Sequence, residues 1–591
     1  MNGQELGAIF RRFRINHGVT TKQAAGANGS AATISRFERS ESDISTETAA
    51  TLMYNIGMGS RELDDLIITP GYHFPDPRDY VVKDDSEGLL REIESYTKAH
   101  PGFNGSRAMR LILSLISTTN EAFLTKPIEQ AAADVLAYPA QADMLELTVL
   151  LYVLPRASVE LIALIWRRLM ALPLAQIVWV QPFICYTALF GVLRGDVPLR
   201  DEIKAKLSAH ISDSKTEASY RAEYPISEIT LALANGQDVE PYLAALEVLG
   251  AELLAKWLRK TITRQEAGVI HNAQLVDNAK LALQIRPNES LLSGSTLSKI
   301  RKQHGQTIDS LNISWSKAAQ SRFENGKTQP GFLKTLQLFE ALYIPLTLLN
   351  RGGDLVSSYR RAYNQVTGLA REAKAKHHTR KMLLKVVDDF IKANQGTPAG
   401  LLHLQERSLI SSLVGMATEL FPYDDPLNRG LTAEESADVV AYYASQTDIC
   451  IGDLGLSLHA LEILDQEYLP PMTEAIFTHL RPESKAWELC VEEADTFMCG
   501  PVYFQNRSLI TRVAKYFKNT SSFAEYNWNV QAAVTQTELM AKAFRQNTPE
   551  TRTAVAAFNK ARALIMPQPA NAFEPANWML FALDKDYGHF K

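Results

Sequence analysis

Apolar residues near the amino terminus recur at helical spacing. Leu6, Ile9, Phe10 and Phe13 fall at i, i+3, i+4 and i+7, which predicts one amphipathic helix. Gly18, free to take a positive φ, ends it. Thr20 then caps a second helix through Ala24 and Ala25, whose small side chains let helices approach closely. Asn28-Gly29 predicts a turn, and Ser30 caps a third helix running through Ile34 and Phe37. Ser45 opens a fourth helix (Leu52, Met53, Ile56), and Leu63, Leu66 and Ile67 belong to a fifth. Five short helices, two of them joined by a tight turn, predict a helix-turn-helix unit over residues 1–70.

Helical spacing continues along the rest of the chain. Segments 111–116, 145–154, 161–169 and 449–464 carry it, and Pro127, Pro155, Pro225, Pro241, Pro426, Pro470 and Pro471 fall mostly between such stretches. Long alternation of period two is missing from the sequence. The pattern therefore predicts an all-α chain whose larger part is an α-solenoid of antiparallel helix pairs, with a concave surface suited to an extended peptide.

Self-similarity organises these elements. His17-Gly18-Val19-Thr20 returns as His304-Gly305-Gln306-Thr307, and Ser35-Arg36-Phe37-Glu38 returns as Ser321-Arg322-Phe323-Glu324. The first pair lies 287 residues apart and the second 286, so one deleted residue reconciles them. Either offset is close to half of the 591 residues, which predicts two copies in tandem. The expected order is a helix-turn-helix head at 1–70, a helical region at 71–288, a second and more diverged head at 289–352, and a second helical region at 353–591.

Charge sharpens the expectation for the heads. Overall, 61 Lys and Arg against 66 Asp and Glu leave a net charge of −5, so any affinity for nucleic acid must be local. Residues 1–39 carry six basic and two acidic side chains, whereas residues 40–70 carry one basic and six acidic. Residues 291–334 hold seven basic and two acidic groups. This segregation is expected if one face of each head meets phosphates.

The run Ile34-Ser35-Arg36-Phe37-Glu38-Arg39-Ser40-Glu41-Ser42-Asp43-Ile44-Ser45 resembles the recognition-helix segment of the Rgg/MutR group, peptide-responsive regulators within the wider XRE class of helix-turn-helix proteins. The resemblance is specific over roughly the first 70 residues, and the second copy matches only the general XRE pattern. It implies two five-helix heads, each followed by a TPR-like helical domain that binds a short hydrophobic signalling peptide. It also implies that Ala31, Ala32, Thr33 and Arg36 face the DNA groove, Arg36 being able to bind guanine through two hydrogen bonds. Thr20 and Thr21 are then placed to clasp phosphate at a helix start, with Arg11, Arg12 and Arg39 as phosphate neutralisers. Arg14 is similar in position to the arginine that pairs with the recognition-helix glutamate of phage repressors, here Glu38.

In the second head Lys317, Ala318 and Arg322 replace Ala31, Ala32 and Arg36, and Arg301 with Glu324 repeats the ion pair. Ile308 stands where Thr21 stood, and the segment 307–316 is one residue shorter. Two readings follow. Either both heads read an operator with unequal half-sites, as a dimer within one polypeptide, or the chain is a peptide- or protein-binding scaffold whose heads only pack. Equivalent stretches at 138–154 and 442–461 carry the acidic-Leu steps Glu146-Leu147 and Asp453-Leu454, and by the resemblance nominate Tyr152 and His459 for a peptide pocket.

Catalysis and cofactors are not expected. The sequence has no GxxxxGK[ST], no strand-borne GxGxxG, no HExxH and no GxSxG. Cys185, Cys450, Cys490 and Cys499 form no CxxC pair, so a disulfide framework or zinc cluster is unsupported. His377-His378 lies in a basic stretch and reads as solvated, with no metal role. Residues 1–16 lack the apolar core of a signal peptide, and Pro173, Gln176, Gln181 and Pro182 argue against reading the uncharged segment 171–193 as a membrane span. The expected setting is the cytoplasm, with double-stranded DNA and a peptide as partners, RNA polymerase as a further candidate, and room for higher oligomers.

Overall fold

A computed structural model describes residues 3–26, 29–67, 75–99, 107–118, 123–136, 144–171, 181–214, 224–263, 270–275, 293–303, 306–311, 313, 315–342, 357–376, 378–417, 420–421, 425–427, 429–482, 484–504, 506–520 and 527–565. The protein is all-α: among these residues every regular element is a helix. The turn expected at Asn28, the repeat element His304-Gly305 and a fifth helix of the second head lie outside the described residues.

The first head is built from α1 (Gly3–Asn16), α2 (Thr21–Ala25), α3 (Ala31–Glu38), α4 (Thr46–Ile56) and α5 (Ser60–Ile67). Leu6, Phe10 and Phe13 bury one stripe of α1, and Gly18 leaves that helix with φ of 64°. Thr20 and Gln23 close a capping box on α2, while the Ser30 and Ser45 hydroxyls accept the Thr33 and Thr48 amides at the starts of α3 and α4. Each cap satisfies donors that the helix itself leaves free, worth about 1 kcal/mol apiece.

The second head repeats this plan with one change. Helices Gly294–Gln303, Lys317–Glu324 and Phe332–Ala341 correspond to α1, α3 and α4, but among the described residues the 3₁₀ turn Asp309–Leu311 stands in place of α2. The shorter segment leaves room for one turn, which Thr307 and Ser310 close by exchanging hydrogen bonds. Past the third helices the backbone turns back identically in both heads. Glu41 N–H donates to Arg36 O and Lys327 N–H to Arg322 O, across Ser40 at φ 61° and Gly326 at φ 71°. A Cβ on Gly326 would meet nothing within 4 Å, so only the left-handed backbone opposes a side chain there. Gly326→Ala is expected to cost about 1 kcal/mol, read as a lower urea midpoint with an unchanged slope.

The two heads share one apolar core. Phe10, Phe37, Leu52 and Met53 from the first cluster with Leu297, Phe323, Phe332 and Phe339 from the second. At the seam Phe332 N–H donates to Ile44 O at 2.6 Å, Leu333 N–H to Asp43 Oδ1 at 3.2 Å, and the Phe10 and Phe332 rings meet edge-on at 6.0 Å. Ser45 and Gly331, again 286 residues apart, form an antiparallel bridge.

The helical segments on either side of the second head share one core. One core runs from Val82 to Leu258 and on through Leu401 to Ile565, with Glu240–Val248 packed on Pro549–Ile565, while Ala362 to Phe421 form a smaller cluster. Residues 172–180 of the uncharged segment lie outside the described residues. Its remainder is the buried helix Gln181–Arg194, and no helix among the described residues is long and apolar enough to cross a membrane.

Candidate nucleic-acid interface

In each head one buried ion pair fixes the third helix. Arg14 Nε and Nη2 grip the Glu38 carboxylate at 2.6 and 2.7 Å, and Nη1 donates to Val19 O at 2.7 Å. Arg301 repeats every contact, reaching Glu324 at 2.7 and 2.6 Å and Gln306 O at 2.7 Å. Both carbonyls lie five residues after their arginine, so each guanidinium ties α1 or its counterpart to the third helix and to the chain between them. Ser298 and Gln320 add two donors to Glu324. Burial opposes charge on Glu324, but these hydrogen bonds outweigh it and hold the carboxyl below its ordinary range.

With Ile34, Phe37 and Glu38 buried, α3 turns its opposite face outward: Ala32, Arg36 and Arg39 are exposed, Ala31 and Thr33 half-buried. The helix Lys317–Glu324 does the same, burying Gln320, Phe323 and Glu324 and exposing Lys317, Ala318 and Arg322. Arg36 and Arg322 occupy the same turn, two residues before the locked glutamate. Thr20 is exposed with its hydroxyl engaged by Gln23, and Thr21 opens α2 half-buried. Ile308, at the matching point of the second head, is half-buried and offers no hydroxyl.

No family model and no curated protein matches this sequence. Among solved structures, the chain is similar over 50% of its length to 98% of the Streptococcus dysgalactiae SHP pheromone receptor Rgg2, at 14% identity and a TM-score of 0.33. So loose a superposition bears on neither site nor ligand.

The other nominated cations are differently occupied. Arg11 is exposed, and Arg12, also exposed, pairs with Asp448 at 2.8 Å. Arg39 is exposed and forks onto Glu41, and Lys317 pairs with Asp309. Arg12, Arg39 and Lys317 thus each have a carboxylate partner within the chain.

Tyr152 and His459 each sit against a polar neighbour. Tyr152 is buried with its hydroxyl donating to Ser86 at 3.2 Å, and burial raises its pKa. His459 is half-buried beside Glu462 at 3.7 Å. A shallow cleft of about 300 Å³ lies elsewhere, between the end of α1 (Ile15, Gly18) and Pro398, Asp438 and Tyr442. Sequence reasoning missed this seam because its two walls are some four hundred residues apart. Among the described residues, no cluster of His, Cys, Asp and Glu is placed to hold a metal ion.

Proposed function

We propose that this chain is a sequence-specific DNA-binding regulator in which two unlike heads, joined in one polypeptide, read the two halves of a single operator. The supporting observation is the exposure of Arg36 and Arg322 at matching positions of two helices, each helix anchored from behind by a buried Arg–Glu pair. A groove-reading helix needs this combination, since its outer side chains must reach base edges while its axis stays fixed. The contact between heads through Ser45 and Gly331, one repeat length apart, has the isologous character of a two-fold dimer interface within one molecule. On this reading the half-sites differ, one met by Ala32 and Arg36, the other by Lys317, Ala318 and Arg322. The helical regions set head spacing, and a short hydrophobic peptide that binds one of their conformations better shifts operator affinity. The reading is non-catalytic and needs no cofactor.

Selection of bound DNA from a random library, followed by titration across salt, tests it. Affinity is expected to fall steeply with salt as phosphate counterions are recaptured. Arg36→Ala and Arg322→Ala should each lose about 1–3 kcal/mol of binding, roughly 5- to 150-fold, and each should relax preference in a different half-site. Absence of binding at low salt, or indifference to both substitutions, would favour the scaffold reading.

A further inference from the structure

The first head is moored to the second helical region, and the mooring has a titratable centre. Around it Arg12 pairs with Asp448, Asn16 Nδ2 donates to Thr447, α5 packs on the helix Ile451–Ile463, and the Arg361 guanidinium covers the Tyr54 ring at 4.5 Å. At the middle is His17, 7% exposed and stacked on Phe13. Its Nδ1 faces Phe13 O at 2.9 Å and its Nε2 faces Asp453 Oδ1 at 3.5 Å. Both ring nitrogens therefore meet oxygen acceptors. A neutral imidazole carries one N–H and would turn a lone pair on one of those oxygens, whereas an imidazolium satisfies both.

Asp453 is likewise arranged for a negative charge. It lies in the first turn of Ile451–Ile463, where a helix favours anions, and accepts from Tyr442 Oη at 3.1 Å and Cys450 Sγ at 3.2 Å. The titratable groups facing the pair are Glu62 from α5, Tyr442 and Tyr443 from Ala433–Ala444, and Cys450 before Ile451–Ile463. Only Glu62 among them adds charge near neutrality, and it too favours the cation. The thiol donates to the carboxylate and not to the imidazole, so the cluster is no nucleophile–base pair.

We propose that His17–Asp453 is a protonation latch: the imidazolium holds the first head on the second helical region, and loss of its proton releases that contact. The latch does not depend on the DNA-binding role. Burial disfavours the His17 cation, but Asp453 and the Phe13 carbonyl outweigh it and raise its pKa above the ordinary value. Burial likewise opposes charge on Asp453, and His17, Cys450 and Tyr442 outweigh that, holding it low. With the His17 pKa raised on docking, its contribution is complete below the free-histidine value of about 6.5 and is lost as pH rises through the docked value.

Hydrogen exchange of the full chain, expressed as protection factors for amides 13–19 across pH 6 to 9, tests the latch. Protection should fall roughly tenfold for each unit by which docking raises the pKa, while amides of Pro549–Ile565 keep theirs. His17→Gln and Asp453→Asn should flatten the pH dependence, and the double variant should be no worse than either single one. Equal pH dependence in the native and His17→Gln chains would overturn the proposal. Should the variants misfold, histidine-selective NMR of the native chain decides it: an imidazole resonance titrating in step with the loss of protection supports the latch, and the absence of any imidazole that does so refutes it.

Discussion

Glu38→Ala is expected to destabilise the first head by about 3–5 kcal/mol, because it strands the Arg14 guanidinium in a buried site with one carbonyl as its remaining partner. That is a large part of the stability a typical domain possesses, so urea unfolding should show an early transition of the core that the heads share, with the helical core melting later. Glu324→Ala should act as strongly on the second head, where Arg301, Ser298 and Gln320 all lose their acceptor. Acid gives the same result by another route. The folded-state pKa of Glu324 is lowered, so its contribution is present above the unfolded carboxylate value of about 4.3 and is lost as pH falls below it. A loss under 1 kcal/mol in either variant would mean that the guanidinium finds water or another acceptor, and that the third helices are less firmly held than their geometry implies.

Phe332→Ala carries the second large effect, again about 3–5 kcal/mol, since the ring is wholly buried and its removal leaves a cavity. The informative quantity is the coupling with Phe10→Ala. The two rings touch edge-on across the seam between heads, so the double variant should depart from the sum of the singles by about 0.5–3 kcal/mol. Additive losses would mean two heads that fold independently and merely lie side by side. Strong coupling would mean that neither head reaches full stability without the other, as expected when a dimer interface has become an intramolecular one.

Much of each head was legible because it depends on neighbours in sequence. Helical spacing around Leu6 and Phe13, the hydroxyls of Thr20, Ser30 and Ser45, and the freedom of Gly18 act within one or two turns, and α1 to α5 follow from them. Arg14 and Glu38 stood out only by resemblance, and they meet in the fold. The second head was less legible. Spacing alone did not distinguish a full second helix from the 3₁₀ turn Asp309–Leu311, because a missing residue alters how far a turn can propagate without altering its composition.

What the sequence determined by itself is the helical class, the ends of the helices in the first head, and the doubling of a charged, glutamate-anchored motif, all consequences of short-range periodicity and capping. The tertiary structure alone decided that Arg12 is spent on Asp448, that Phe10 meets Phe332, and that His17 meets Asp453. Those partners are hundreds of residues apart, and local propensity carries no information about which distant surface a helix will bury. Only the joint packing of both heads and both helical regions, where each buried charge must find its counter-charge, selects them.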